Sequence, residues 1–219
     1  VSLSADMYRR FGAFQCNLLL EGFYTRLNHV FVLEEIGKDE EHNAVIKERR
    51  NGQGAEVAGV TVEGKVAYLS LVQLQAGVTW QKSHYTRPEK WSKDSSVPAE
   101  KRIFRTPDWY GYFTATYSPV KPLNIALSGT YTGSMIVQHM KGYIPKDIAV
   151  TTPDFFDMNL KISYDFSLYK FITLQLNAGI QNIFNSYQRD FDQGKERDSG
   201  YIYGPSMPRS YFAGAKLMF

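Results

Sequence analysis

Apolar and polar residues alternate strictly through 171–181, FITLQLNAGIQ: Ile172, Leu174, Leu176, Ala178 and Ile180 fall on one side, and Thr173, Gln175, Asn177, Gly179 and Gln181 on the other. A period of two belongs to an extended strand with one apolar face. Two environments fit such a strand. In a soluble antiparallel sheet the apolar face meets a core, whereas in a membrane barrel it meets lipid and the polar face lines a wet lumen. Segment length, repetition and the connections between segments distinguish the two.

The same zigzag recurs along the chain. Residues 1–8 alternate, 9–12 form a short break, and 13–32 place Phe14, Cys16, Leu18, Leu20, Gly22 and Tyr24 opposite Gln15, Asn17, Glu21 and Thr25. A polar loop with extended arms is expected over 34–54. From residue 55, Ala58, Val60, Val62 and Val66 oppose Val57, Thr61, Glu63 and Lys65, and a tight connection at 68–71 leads into a strand over 71–85. A second polar loop covers 86–101, followed by a strand over 102–117, a turn at 118–122 and a strand over 123–133. A third loop covers 135–152. In 154–166, Phe156, Met158, Leu160, Ile162, Tyr164 and Phe166 face away from Asp157, Asn159, Lys161, Ser163 and Asp165. After a turn at 167–170 and the stretch 171–181, a fourth loop over 188–200 precedes a closing strand over 201–219.

Connections therefore alternate short and long, as a barrel with turns on one membrane side and loops on the other requires. About nine segments have apolar faces of about ten residues, enough to cross a bilayer when tilted. Aromatic residues gather near segment ends, at Trp80, Tyr85, Trp109, Tyr117, Tyr164, Phe166, Tyr187 and Phe219. Soluble sandwiches use strands of about five or six residues and do not segregate loop lengths in this way. The expected fold is all-β, an antiparallel up-and-down transmembrane β-barrel.

Composition agrees once its meaning is adjusted. The 219 residues have a mean hydropathy of −0.33, ordinary for a soluble protein. A strand barrel gives only alternate residues to lipid, so its average stays low and no run of about 18 apolar residues appears. No charged-then-apolar leader opens the chain. The net charge of +3, from 25 basic and 22 acidic residues, is dispersed and gives no stripe for nucleic acid. Fifteen Tyr, fourteen Phe and three Trp suit two interfacial girdles. Cys16, alone of its kind, forms no internal disulfide and reads as a small apolar side chain.

In the last third, the run NAGIQNIFNSY over 177–187, the loop end GYIYGP over 200–205 and the ending PRSYFAGAKLMF over 208–219 resemble TonB-dependent outer-membrane receptors. The resemblance implies a larger plugged barrel that imports a ferric siderophore, haem, cobalamin or glycan, energised through the TonB complex by way of the plug. It makes residues 1–219 the C-terminal barrel portion, about nine to ten strands, with no plug domain and no TonB-contacting box. Outer-membrane lipid and the assembly machinery become partners, and the terminal Phe219 looks like the signal that machinery reads.

No nucleophile elbow, phosphate loop or metal-ligand spacing appears, so an enzyme is not expected, and neither cofactor nor metal is called for. His29, His42, His84 and His139 are far apart. The loop 190–198 carries three Asp and reads as a charged solvated loop, with calcium as the lesser alternative. Glu21, Glu63, Lys65, Asp157, Lys161, Asp165 and Lys216 fall on the polar register, where a lumen or plug surface satisfies them. Trp91, His139, Lys141, Tyr143, Tyr201 and Tyr203 are the candidate ligand contacts, because loops carry function and aromatic rings supply stacking surface. The rival readings are a complete small barrel acting as pore or adhesin and a soluble β-sandwich binding module.

Overall fold

A computed structural model describes residues 1–29, 31–39, 41–42 and 44–219. Val30, in the expected second strand, and Glu40 and Asn43, in the expected first polar loop, lie outside the described residues. The strands are β1 (Ser2–Phe11), β2 (Phe14–Leu27), β3 (Phe31–Asp39), β4 (Ala44–Asn51), β5 (Ala55–Tyr68), β6 (Val72–Glu89) and β7 (Glu100–Arg102). They continue as β8 (Trp109–Val120), β9 (Leu123–Thr132), β10 (Ile136–His139), β11 (Ile148–Thr151), β12 (Phe155–Tyr169), β13 (Ile172–Gln181) and β14 (Ser210–Met218).

Nine of these form one antiparallel meander in the order β1-β2-β5-β6-β8-β9-β12-β13-β14, with β7 pairing β6. The pairs β3-β4 and β10-β11 are separate two-stranded ribbons inside long connections. Turns at 12–13, 69–71, 121–122 and 170–171 alternate with connections over 28–54, 90–108, 133–154 and 182–209. Gly12, at φ +58, supplies the left-handed residue of the first turn, with no Cβ to clash.

Cross-strand register keeps one face apolar from edge to edge. The row Leu20–Val62–Val78–Gly111–Tyr131–Phe156 runs across six strands, and Tyr164–Leu176–Ala215 continues the face through the last three. In a soluble sandwich these side chains would be covered. Instead Leu20 is 48%, Val78 44% and Leu176 45% exposed, and the buried apolar residues among those described are Ala55, Ile136, Val137, Phe155 and Tyr201. The accessible surface is 14954 Å², against about 10,000 Å² for a compact chain of this mass. Among the described residues the sheet is a single wall with no second layer over its apolar face.

Aromatic rings mark both ends of that face. Trp80 and Trp109 meet at 6.2 Å near the long connections, and Phe14 meets Tyr68 at 4.6 Å near the turns. From Val72 to Trp80 the strand advances about 27 Å, the scale of a ~25 Å apolar band.

Several boundaries differ from those the pattern suggests. β1 runs through Arg10 and Phe11, where a break was expected, because Arg9 pairs with Cys16 and Phe11 with Phe14 up to the turn. β6 continues to Glu89, where β7 supports it. The strand expected over 102–117 begins at Trp109, and the one expected over 201–219 begins at Ser210. In both cases the leading residues, which do not alternate, are taken up by loop packing through Arg105, Tyr201 and Tyr203. The turn expected at 118–122 shrinks to 121–122, with Pro119 at a register shift between Tyr117 and Val120.

Among the described residues no ladder joins β1 to β14. Nine alternating strands leave both edges running toward the turns, so joining them would be parallel. Antiparallel closure needs an odd number of further strands between the edges, and a complete small barrel finds no support in this sheet.

Candidate functional site

At the long-connection end, three of the four connections fold into one cap, and the elements that build it are local and polar. β13 ends at Gln181, and Asn182 (φ +50) and Asn185 (φ +55) follow it in the left-handed region. Asparagine tolerates this left-handed backbone better than other L-residues and can bond its neighbours locally. The Asn182 side chain donates to the Ser186 and Met207 carbonyls at 3.1 and 3.0 Å and accepts from the Ser186 amide at 2.8 Å. Asn185 accepts from the Arg209 amide at 3.0 Å. The spacing Asn-x-x-Asn thus closes both ends of the 182–209 connection.

Gln188, 1% exposed, organises the interior of that connection. Its amide donates to the Tyr201 carbonyl (3.1 Å), and its side-chain oxygen accepts from the Tyr203 amide (2.8 Å). Gly204 then lies against the Phe155 ring, 2.5 Å from where a Cβ would stand, so no larger residue fits without movement. Phe155 pairs with Thr132 on the polar face of the wall, so this connection folds over that face.

Side chains lock the three connections together. His139 of β10 directs Nε2 at both Asp192 oxygens, 3.0 and 2.9 Å away, while its ring stacks on Tyr201 at 3.7 Å and 8°. Asp198 accepts from the Met140 amide (2.8 Å), and Ser92 donates to Asp147 (2.6 Å). Arg105, held at φ +59, donates through its backbone to Ile136 and through its guanidinium to the Ile202 and Gly200 carbonyls. The 28–54 connection meets the wall where Arg50 and the Gln53 amide approach Glu89, at 3.8 and 3.2 Å.

On the solvent side of the cap, Asp190 accepts from Tyr201 (2.8 Å) and Tyr203 (2.6 Å). Burial raises the Asp190 carboxyl, but hydrogen bonds from Tyr203 and Tyr201 outweigh it and leave the acid below its ordinary value. Burial, then Asp190, raises both phenols, Tyr203 to about 12 and Tyr201 further. The protonated phenols and ionised carboxylate stabilise one another.

Of the six residues chosen from sequence, the cap brings His139, Tyr201 and Tyr203 together. Trp91 packs edge-on against Phe104 at 5.3 Å and donates to the Pro98 carbonyl. The Lys141 backbone donates to Asp147 at 2.7 Å, and Tyr143 stands apart and exposed. The pattern does not single out Gln188, Arg105 or Asp147; Asp190 enters it only as one of three acids of the 190–198 loop, and Asn182 and Asn185 only as part of the run 177–187. In the 190–198 loop, Asp190, Asp192 and Asp198 each accept hydrogen bonds from this chain's own groups.

On the wall, Glu21, Glu63, Lys65, Asp157, Lys161, Asp165 and Lys216 all occupy the polar register. Asp165 accepts from Gln175 at 2.8 Å, and Asp157 retains one buried oxygen with no partner among the described residues. A depression of about 320 Å³ opens on this face nearer the turns, lined by Tyr8, Asn17, Lys65, Gln75, Thr114 and Thr116 among others. Phe219 follows β14 and is exposed.

A family model described as "TonB dependent receptor-like, beta-barrel" matches residues 3–183. No curated protein matches the chain. Among solved structures, the ferric-catecholate import receptor Fiu of E. coli K12 superposes with a TM-score of 0.61 at 16% identity, over 99% of this chain and 27% of that one. The ferripyoverdine receptor of the outer membrane of Pseudomonas aeruginosa gives 0.59 at 13%, over 99% and 26%. The ferric enterobactin receptor of P. aeruginosa gives 0.56 at 14%, over 99% and 30%. At such identities the likeness is one of fold, and this chain spans less than a third of each structure's length.

Proposed function

Since this chain belongs to the TonB dependent receptor-like β-barrel family, we propose that it forms wall and outer loops of an outer-membrane receptor for active uptake of a scarce nutrient such as a ferric siderophore. The observation that carries the reading is the exposed apolar face spanning nine strands, which only a non-aqueous solvent makes favourable. Receptors for ferric-catecholate, ferripyoverdine and ferric enterobactin share the fold and support an iron chelate as the cargo.

In this reading, further strands outside residues 1–219 complete the wall, and a plug domain, also outside them, links the receptor to the TonB complex. The polar-face charges from Glu21 to Lys216 face the lumen and the plug. The cap receives the ligand at the cell exterior: Tyr143, Lys141 and Tyr203 touch it, while His139, Tyr201 and Trp91 shape the surface behind them.

Leu176→Arg and Gln175→Arg, adjacent in β13 on opposite faces, test the reading. Arginine on the lipid face costs about 2–4 kcal/mol near mid-membrane, whereas on the lumen face it can pair with Asp165. Expression in an outer membrane should therefore fail for the first substitution and persist for the second. Equal membrane yields for the two would refute the assigned faces and the receptor role with them.

A further inference from the structure

Arg9 breaks a rule that the rest of the wall keeps. On the turn side of Tyr24 and Trp80, the apolar register of the nine strands carries one charged side chain among the described residues, and it is this arginine. Arg9 stands level with Cys16, Val66 and Leu74, one step membrane-ward of the ring row Phe11, Phe14 and Tyr68. That step is two residues, about 7 Å along a strand. We infer that Arg9 anchors the phosphate of an anionic phospholipid in the leaflet on the turn side of the wall.

Unspent donors are the first support. A guanidinium presents five N–H donors in a planar fork that fits phosphate oxygens two at a time. One is used here, from Nη1 to the Tyr8 carbonyl at 2.9 Å, and among the described residues no carboxylate pairs with it. Asp6, the nearest acid along β1, lies on the opposite face and accepts from the Asn17 amide.

Charge at this end is the second. Residues 7–18, 66–73, 117–124 and 166–174 hold the four turns, and they contain Arg9, Arg10, Lys121 and Lys170 with no Asp or Glu. The terminal carboxylate, on Phe219, stands at the opposite edge of the sheet from β1. The other end of the wall mixes both signs, as in Lys82 with Asp108 and Arg26 with Glu56. A surplus of cations at one membrane boundary draws anionic headgroups to it.

Depth is the third. Phe14 meets Tyr68 at 4.6 Å and Phe11 is 64% exposed, a ring row of the kind that settles at the headgroup boundary. Cys16, paired with Arg9, is small, so the arginine stem can lie along the apolar face while its head reaches phosphate level. The inference rests on the lipid-facing assignment of this face and adds which lipid chemistry the face selects, and where.

The test uses the full-length receptor in phosphatidylcholine vesicles, with Phe14→Trp as a reporter beside Arg9 and the parent protein's fluorescence subtracted. Lipids brominated on their acyl chains quench a tryptophan they touch. Brominated phosphatidylglycerol should quench the reporter at about fivefold lower mole fraction than brominated phosphatidylcholine does. Arg9→Gln should bring the two lipids level, while Arg10→Gln, on the opposite face, should keep most of the preference. If Arg9→Gln does not insert, Arg9→Lys decides: it keeps the charge without the fork and should lower the preference about twofold. A reporter quenched by neither lipid in otherwise unaltered protein would take the face out of the membrane, and the receptor reading with it. Equal quenching by both lipids, a preference unchanged by the Arg9 substitution, or one lost equally in Arg10→Gln would overturn the phosphate site and leave that reading standing.

Discussion

The wall and the cap are inverted with respect to each other. On the wall, Leu20, Val78, Ile162 and Leu176 are exposed; in the cap, Gln188, Asn182, His139 and Asp147 are buried. The same chain follows opposite rules at its two levels because the surroundings differ. A strand face in hydrocarbon needs apolar surface and already satisfies its backbone through the ladder. A loop in water has no such ladder. It must find partners for its own amides and carbonyls, and Gln188, Asn182 and Asp198 supply them.

The contrast can be broken from the cap side. Gln188→Leu keeps most of the side-chain volume but leaves the Tyr201 carbonyl and the Tyr203 amide without their buried partner. A loss of about 1–3 kcal/mol in local stability is expected. Hydrogen exchange in the folded chain should show it as faster exchange at Tyr203, with the β12-β13 ladder unchanged. Equal acceleration in cap and wall would mean that the two are one cooperative unit.

A smaller effect separates the two regions by pH. Tyr201 and Tyr203 have raised values, so their contribution to the cap is complete below pH 10, the ordinary phenol value. It fades as pH climbs toward about 12, where Tyr203 ionises in the folded chain. Asp190 has a lowered value, so its contribution holds above its ordinary value of 3.8 and fades on acidification below that. A phenolate absorbance titration should find Tyr201 and Tyr203 among the tyrosines that ionise late, and Asp190→Asn should bring these two forward. Unshifted curves in the variant would detach the phenols from Asp190.

The smallest effect is expected at the seam. Lys82 and Asp108 pair where β6 meets the 90–108 connection, but both side chains are largely exposed. Lys82→Ala should change stability by about 0–1 kcal/mol, read as a small shift in the thermal midpoint in micelles. A larger loss would make the seam a structural joint.

The alternation in 171–181 and the order of short and long connections were legible in the chain, because a strand's faces follow from a two-residue period that needs no partner. So was the polar register of Glu63, Lys65 and Asp157. The starts of β8 and β14 were not. Residues 102–108 and 201–209 precede the alternating parts of these strands, and Arg105 and Tyr201 are claimed by contacts 95 or more and 62 residues away, through Gly200 and His139.

Sequence alone therefore determined which face of each strand is apolar, how many segments cross, and the family they resemble, since these rest on local periodicity and short motifs. Tertiary structure decided that the apolar face is left uncovered, that three connections lock into a cap, and that Asp190 meets two tyrosines. Those outcomes depend on which distant backbone groups compete for the same few buried polar side chains, and the spacing of residues along a chain does not carry that information.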